Sequence, residues 1–326
     1  MPAPSESLAT LRPDLGGSME EFDLAADRQG FVANRVLPVI EADKPSGTFG
    51  TIPIEELLKN PEVERTSRSG YGRGKWKFED QTYATKEYGW EEPVDERDAR
   101  FYADYFDAEM VSAEICQDRV LRAHEQRASA AVFNSSTFTP TAITNEWDDY
   151  ANATPLDDVE ARIQAFFGAS GLWPNALIIN RIVFRNLRMC EQVIDAIASQ
   201  GAGNATKASD ITSQMLARVF DLDEIIVAGS AKTGNVEGGT LDIDSIWSSE
   251  YAAITRIARS NNIKEPCMGR TIHWGRDGSR IGGTMETYRD ESVRSDIVRC
   301  RHEVQQKIFY TAMCQLLSNV TTTHDD

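Results

Sequence analysis

The chain has 326 residues, of which 41% are hydrophobic and 26% charged, a balance typical of a folded globular protein. Its formal net charge of −17 argues against a general nucleic-acid-binding surface, because duplex phosphates are bound through clustered Lys and Arg. No apolar run approaches the length of a membrane span, and the first residues lack the pattern of a secretory signal. Such acidity fits a soluble protein, or one that encloses nucleic acid without adhering to it.

The N-terminal part of the chain predicts few regular elements. Residues 1–17 have the composition of a poorly ordered tail, and Ser18–Asp27 carries the capping box of a short helix. Phe31–Ile40 is an apolar arm, in which Pro38 permits only an edge strand or an isolated segment. Because the arm cannot bury its own apolar residues, we predict that it is buried between subunits.

Residues 41–90 contain about fifty positions without one strong element, which is unusual inside a compact domain and typical of a projecting functional loop. KPSGTFG and RSGYGRG are turn-forming sequences, and IPIEELLKN between them predicts a turn or two of helix. Alternating residues predict short strands at Lys75–Glu79 and Thr82–Tyr88.

A basic and aromatic cluster in this loop precedes an acidic one. We predict that the basic hairpin docks on the acidic segment of another copy of the chain. The predicted subunit-contact residues are Arg65, Arg68, Arg73, Lys75, Trp76 and Lys77 in the loop, and Glu91, Glu92, Asp95 and Glu96 after it. Two alternatives stay open: a nucleic-acid platform, which the net charge disfavours, and a solvated loop without a partner.

The segment from Asp95 to Phe133 contains no Gly or Pro and is rich in strong helix formers, with Asp95 as its N-cap. One helix over this segment would be a rod of about 55 Å, so we predict an extended spine helix. Its predicted buried stripe is Phe101, Tyr105, Ala108, Val111 and Ile115, which Arg119, Arg122 and Arg127 interrupt.

The second half of the chain predicts an α/β module followed by strands. Thr154 and Pro155 begin a helix, and the apolar runs at Ala176–Asn180 and Glu224–Gly229 predict buried strands. A further strand is predicted at Thr271–Gly275. In the strand-like C-terminal region the predicted buried positions are Val293, Ile297, Val298, Ile308 and Tyr310.

Signatures of catalysis are sparse. The four His form no metal-binding motif, the five widely spaced Cys form no CxxC pair and have apolar neighbours typical of buried thiols, and GxSxG and Walker motifs are absent. We therefore predict no catalytic residue, metal or cofactor. The alternative from another class is an acidic soluble hydrolase that uses His273 and Asp277 of the TIHWGRDG segment.

The order of arm, long loop, strand, spine helix, α/β module and C-terminal strands resembles the tailed-bacteriophage major capsid proteins with the Hong Kong 97-type fold. The resemblance covers most of residues 20–320. The stretches that carry it are GFVANRVLPVIEADKPSGTFGTIP, YATKEYGWEEPVDERDA, WPNALIINRIVFRNL, IWSSEYAAI, PCMGRTIHWG and ETYRDESVRSDIVRCRHEVQQKIFY.

The resemblance implies an α+β chain that consists of an N-terminal arm (1–45), an extended loop with a lead-in strand (46–90), the spine helix of a peripheral domain (91–150), an axial domain (151–285) and C-terminal strands of the peripheral domain (286–326). In this arrangement the apolar stripe of the spine helix packs on the C-terminal strands. The arginines of the helix then face neighbouring subunits.

In function, the resemblance implies a major capsid protein, not an enzyme, that self-assembles into hexamers and pentamers of an icosahedral shell enclosing double-stranded DNA. Such a virion capsid is assembled in the host bacterial cytoplasm, away from membranes. The implied partners are further copies of the chain, a portal and a separate scaffolding protein. Only about thirty residues precede the arm, which implies either that separate scaffold or a form whose scaffolding segment is already cleaved. A decoration protein is compatible with this scheme. An encapsulin-like nanocompartment shell shares the fold and stays open as an alternative.

Some members of the family also crosslink a loop Lys to an Asn of a neighbour. Lys75, Lys77 and Asn319 are the corresponding residue types here, but no motif fixes a pair, and we predict no crosslink.

Overall fold

The computed structural model describes residues 10–11, 30–60, 64–65, 71, 73–74, 79–102, 107–199, 210–234, 242–262 and 264–322. The predicted helix Ser18–Asp27 and most of the predicted tail lie outside these residues. The helices are α1 Ala33–Val36, α2 Ile54–Leu57, α3 Glu96–Tyr102, α4 Ala108–Val132, α5 Pro155–Ser170, α6 Arg181–Leu187, α7 Glu191–Ser199 and α8 Ser213–Val219. The strands are β1 Thr10–Leu11, β2 Val39–Glu41, β3 Ser46–Thr51, β4 Glu79–Ala84, β5 Lys86–Asp95, β6 Thr141–Ala142, β7 Ala176–Asn180, β8 Glu224–Ala228, β9 Ala231–Lys232, β10 Asp244–Ser245, β11 Ala252–Thr255, β12 Gly269–His273, β13 Thr284–Asp290, β14 Ser295–Ile308 and β15 Cys314–Ser318.

The 14-residue strand β14 organises a six-stranded sheet of order β1-β13-β14-β12-β2, with β5 also paired to β14. Ten residues of β5 pair antiparallel with β14, from Ser295↔Asp95 to Val304↔Lys86. Alternate β14 residues, from Val298 to Val304, are fully buried beneath α4 and its surroundings. This period of two is the pattern of a sheet with one covered face and agrees with the alternation predicted for this region. Of the predicted buried positions, Ile297 and Val298 are buried, Ile308 and Tyr310 are partly buried, and Val293 is exposed in the turn before β14.

A five-stranded sheet of order β6-β15-β11-β7-β8 forms the second unit. Leu177 and Ile179 of β7 face a core formed with α5, α6 and α7, while Ala176 and Ile178 face a second core near α1 and the end of α4. Because both faces are covered, β7 is a continuous apolar run, as predicted. β15 also belongs to this sheet, where Leu316 and Leu317 point into the two cores, whereas the sequence places it with the C-terminal strands of the other domain.

The predicted single spine helix is wrong at its N-terminal end. Asp95 caps α3, whose Arg97 backbone N–H donates to the Asp95 carboxylate at 2.8 Å. The long helix α4 begins only after Asp107, whose carboxylate accepts from Glu109 and Met110. Its 25 residues give a length of about 37 Å rather than 55 Å.

The predicted apolar stripe of this helix is also mostly wrong, since only Ala108 of its described residues packs, partly buried, against the core. Phe101, Val111 and Ile115 are 71%, 37% and 41% exposed, and Tyr105 lies outside the described residues. The buried face of α4 instead consists of small, medium-sized and polar residues. These are Ala113, Cys116, Gln117, Val120, Leu121, His124, Glu125, Ala128, Ser129 and Val132. Small side chains allow close packing on the sheet, and the polar ones have partners in distant segments.

The N-terminal arm is buried on its own chain, which corrects the prediction that it must be buried between subunits. Val32, Val36 and Leu37 lie in the second core, and α1 occupies part of the segment predicted to be extended. After Pro38, β2 pairs in parallel with β12 at the edge of the six-stranded sheet, the position that proline permits.

Gly30 fixes the point where the arm meets β8. Its φ is +85°, and a Cβ added there would lie 2.8 Å from the backbone of Gly229, whose N–H donates to the Gly30 carbonyl. We expect Gly30→Ala to lower the free energy of unfolding by about 2–3 kcal/mol, through the left-handed backbone and the steric overlap. Urea denaturation measures the loss. Gly74→Ala, where an added Cβ meets nothing within 4 Å, is the control. An equal effect of both changes would contradict the assigned contact.

Candidate subunit-contact surface

The described base of the extended loop is a two-stranded sheet. β3 pairs antiparallel with β4 from Ser46↔Ala84 to Thr51↔Glu79, so the segment predicted as the turn KPSGTFG is largely a strand. The Gln305 side chain accepts from the Ala84 N–H at 2.9 Å, and the Phe49 and Phe309 rings meet edge to face at 5.4 Å. These contacts attach the base of the loop to the C-terminal end of β14 in the same chain.

Arg65 and Arg73 are the two predicted basic contact residues that the structure describes, and both are exposed. The Arg65 guanidinium lies 4.9 Å from the centroid of the Tyr71 ring. Arg68, Lys75, Trp76 and Lys77 lie outside the described residues. The docking of this loop on a neighbour therefore stays a prediction.

The predicted acidic contact residues already have partners within the chain. Glu91 accepts from the Tyr288 hydroxyl at 3.3 Å and lies 3.6 Å from Arg299. Glu92 accepts from the Trp90 indole N–H at 2.9 Å and forms an ion pair with Arg119.

The other two acids are engaged at the start of α3. Glu96 forms ion pairs with Arg289, at 3.3 Å, and with Arg100, while Asp95 is the N-cap described above. Ion pairs as exposed as these contribute at most about 1 kcal/mol each to the stability of the fold. A neighbour's basic loop would thus share these carboxylates rather than find them unpaired.

The spine arginines have partners in their own chain, and their contact with neighbouring subunits stays a prediction. Arg119 pairs with Glu92 and lies 4.7 Å from the Trp90 ring. Arg122 binds Asp118 at 2.8 Å, and the Arg127 guanidinium lies 3.6 Å from the Tyr88 ring centroid. The long, partly apolar arginine stem reaches aromatic rings on the adjacent strand and the arm.

A charge network lies on the face of the six-stranded sheet that points away from α4. Glu286 of β13 binds Arg299 at 2.8 Å and Arg301 at 2.9 Å, and Arg301 also binds Asp277. Burial would raise the pKa of Asp277, but hydrogen bonds from Ser279 and Arg301 outweigh it and hold that pKa below its usual value. This network is not among the sequence-based predictions, although the alternation of Arg299 and Arg301 with buried residues is its signature.

The geometry around His273 does not form a hydrolytic triad. The Ser279 hydroxyl lies 3.4 Å from His273 Nε2, but Asp277 faces Arg301 and accepts from the Ser279 backbone N–H instead of orienting the imidazole. A cleft of about 380 Å³ lies between Phe133, Lys232 and Tyr251, and its lining includes neither His273 nor Asp277.

The described residues offer neither a metal-binding cluster nor a membrane-spanning helix. No group of three or more His, Cys, Asp and Glu side chains in those residues is arranged to hold a metal ion. No helix there combines the length and apolar character that crossing a membrane requires. The five Cys are all buried, as predicted, and none of them forms a disulfide.

Exposed apolar side chains adjoin one another where α5 ends. The Phe167 and Trp173 rings stack at 4.6 Å with an interplanar angle of 19°, and they are 44% and 56% exposed. Leu58, after α2, lies directly over the C-cap of α5 at Gly171 and is also exposed. Neighbouring exposed apolar residues mark contact surfaces more often than isolated ones do.

No protein-family model and no curated protein matches the sequence. Solved structures do match. A phage-related protein from Bordetella bronchiseptica RB50 has a TM-score of 0.69 at 16% identity, over 96% of this chain and 98% of that one. The capsid of the cyanophage P-SCSP1u has a TM-score of 0.57 at 9% identity, over 87% of this chain and 86% of that one. A virus-like particle from Pyrococcus furiosus has a TM-score of 0.55 at 14% identity, over 93% of this chain and 98% of that one.

The chain has the Hong Kong 97-type capsid fold. The predicted α+β fold class is thereby confirmed. Within this capsid fold, β14 with β5 and α4 forms one unit, and the five-stranded sheet with α5 to α8 forms the other. The domain boundaries given above stay predictions.

Proposed function

We propose that this protein is the major capsid protein of a tailed bacteriophage, which self-assembles into hexamers and pentamers of an icosahedral shell around double-stranded DNA. The observation that carries the proposal is the extent of the likeness. The fold of a cyanophage capsid covers 87% of this chain and 86% of that one, so the likeness is not confined to one module.

The exposed apolar residues supply a physical reason for assembly. Phe167 and Trp173 are held in a rigid stack on the surface, and Trp is enriched among residues that dominate binding energy. Burying such side chains between copies would stabilise a shell by about 25 cal/mol per Å² of apolar surface removed from water.

The proposal includes a set of partners and a place of assembly. The chain would associate with itself, with a portal and with a separate scaffolding protein, and it would accommodate a decoration protein. It would act as a structural protein without catalysis, in capsids assembled in the bacterial cytoplasm. Its net charge of −17 suits a shell that holds DNA without binding it tightly.

Reversing Arg68, Arg73 and Lys75 to Glu is expected to reduce particle yield at least ten-fold without unfolding the monomer. The physical reason is loss of electrostatic complementarity between the loop and a neighbouring subunit. Particle yield is measured by sedimentation and folding by circular dichroism. Reversal of three other exposed bases, Lys44, Arg218 and Lys264, gives a control of equal charge. Normal particles from the loop variant would refute electrostatic docking of this loop.

A nanocompartment shell that packages protein is the second candidate, because the virus-like particle of Pyrococcus furiosus shares the fold over 93% of this chain. The contents of particles isolated from the native source separate the two functions. Double-stranded DNA of uniform length supports a phage capsid, and a single co-purifying protein with no DNA supports the compartment.

A further inference from the structure

The sequence from Arg181 to Met189, RIVFRNLRM, contains three Arg and no acid, in a chain with 51 acidic and 34 basic residues. It forms α6 and the turn after it. Val183, Phe184 and Leu187 are buried in the core beside β7, which fixes the opposite side of the helix toward solvent. The basic character is therefore concentrated on one outward surface, which we call the α6 face.

The α6 face combines charge with apolar surface. Arg181 and Arg185 are exposed, and among the described residues neither has a carboxylate partner at ion-pair distance. The Arg181 guanidinium lies 5.7 Å from the Phe184 ring. Ile182 and Met189 are exposed between and beside the arginines, at 41% and 47%.

A complementary surface lies on α5 and α7 of the same chain. The two helices are joined through Gln192, whose side-chain amide donates to Asp157 at 3.0 Å and whose oxygen accepts from the Leu156 N–H at 3.0 Å. Four exposed acids line this pair of helices: Asp157, Glu160, Glu191 and Asp195. In the described part of the chain none of the four carboxylates has a basic partner at ion-pair distance. We call this the α5–α7 face.

We propose that the α6 face of one copy docks on the α5–α7 face of the next copy, so that repeated contacts close a ring. Two different, complementary faces on one chain are what a head-to-tail interface requires, and such interfaces close into rings when the rotation permits. Copies that each carry a net charge of −17 repel one another. A local basic surface opposite acids that have no basic partner among the described residues overcomes this repulsion at the point of contact. The inference rests on the proposed shell function, in which such a ring is the capsomer.

The composition of the α6 face favours a protein partner over nucleic acid. Phosphate contacts use basic and hydrogen-bonding groups, and exposed Ile182 and Met189 add nothing to them. Protein interfaces, in contrast, are enriched in Arg and Met. A contact with enclosed DNA is therefore treated as the competing outcome of the test.

The test uses two full-length charge-reversed variants. Variant one is Arg181→Glu with Arg185→Glu, and variant two is Asp157→Arg with Glu191→Arg. Each alone places like charges at every junction, and we expect at least a ten-fold loss of rings and particles by sedimentation and electron microscopy. In an equimolar mixture, alternating copies restore opposite charges at every junction. We expect six-membered rings to return and five-membered rings, which cannot alternate, to stay absent.

Controls separate this inference from the proposed function. Arg218→Glu with Lys264→Glu reverses two other exposed bases and should assemble like the unmodified chain. Circular dichroism and thermal unfolding check that both test variants fold. If the unmodified chain forms no ring or particle, the shell function fails. If that chain and both variants all assemble equally, only the proposed contact is refuted. If variant one assembles normally but its particles retain less DNA, the α6 face contacts nucleic acid instead, and the inference is overturned.

Discussion

Replacing Glu125 by alanine is expected to lower the free energy of unfolding by about 3–5 kcal/mol. Glu125 is 1% exposed in the middle of α4, and its carboxylate accepts three hydrogen bonds. The donors are the backbone N–H of Val32 at 2.9 Å, that of Ala33 at 2.8 Å and the indole N–H of Trp247 at 2.6 Å. One carboxylate thus joins the arm, the long helix and the segment before β11. The alanine variant leaves all three donors buried without an acceptor.

Urea denaturation and amide hydrogen exchange measure this effect. We expect the backbone N–H groups of Val32 and Ala33 to lose their protection before the rest of the second core does, because the arm is released first. Glu125→Gln retains one acceptor oxygen but places its NH₂ group against a donor, so it should lose part of the stability. Gln126→Ala, at an exposed position on the same helix, should change stability by less than about 0.5 kcal/mol. If Glu125→Ala lowers the free energy of unfolding by less than about 1 kcal/mol, the carboxylate does not hold the three segments together as described.

Replacing His302 by glutamine is expected to make the protein less sensitive to acid. His302 is fully buried on β14, where its Nε2 accepts from Arg127 at 3.0 Å and its Nδ1–H donates to the Ile281 carbonyl at 3.1 Å. His124 lies beside it, with ring centroids 5.6 Å apart, and is held by Asn34 and Gln306. Each ring is satisfied when neutral, and a proton on His302 would face the Arg127 guanidinium.

The pKa values give the direction and the pH window. Burial, with the charge of Arg127, lowers the pKa of His302 to about 4. Burial, with His302 and Arg127, lowers the pKa of His124 to about 3. Between pH 6.5 and these values the unfolded chain binds protons that the folded chain does not, so stability falls as pH falls. The slope from each such His is about 0.7 kcal/mol per pH unit at pH 6.5 and rises to about 1.4 kcal/mol per pH unit once the unfolded imidazole is fully protonated.

Thermal or urea unfolding at pH 5, 5.5, 6 and 6.5 measures the slope. His302→Gln should be less stable than the unmodified chain at pH 6.5 and should lose about 1 kcal/mol less per pH unit, averaged over this range, since one titrating group is removed. Titrating groups outside the His124–His302 pair are present in both proteins and cancel in the difference. Val304→Ala, a cavity variant on the same buried face of β14, should lower stability equally at every pH. An unchanged slope in His302→Gln would refute the role of the imidazole.

Several elements are predictable because short-range patterns determine them. The apolar runs of β7 and β8 identify buried strands, and the alternation in β14 identifies a sheet with one covered face. Pro38 restricts β2 to a sheet edge, and Pro155 and Gly171 mark the two ends of α5. In each case the constraint acts within a few residues of the chain.

The buried face of α4 is not predictable in this way. Glu125 and His124 are polar residues that periodicity places outside a core. Their burial depends on Val32, Ala33 and Asn34, about ninety positions earlier, and on Trp247 and Gln306, more than a hundred positions later. The converse holds for Val111 and Ile115, which are apolar and are predicted to be buried, yet are exposed. Apolar character alone does not reveal which side of a helix the sheet will cover.

The partners of the acidic contact residues are likewise not predictable from local sequence. The sequence presents Glu91 and Glu96 as an unbalanced acidic run, but strand pairing with β14 places them near Arg299 and Arg289 from the far end of the chain. Charge runs in a sequence therefore predict surface location better than they predict partners.

Electron microscopy of the purified, concentrated protein tests the shell function most directly. We expect five- and six-membered rings or closed icosahedral shells built from this chain. A monomer or small discrete oligomer that forms neither rings nor shells, with or without a co-expressed scaffolding protein, would contradict it.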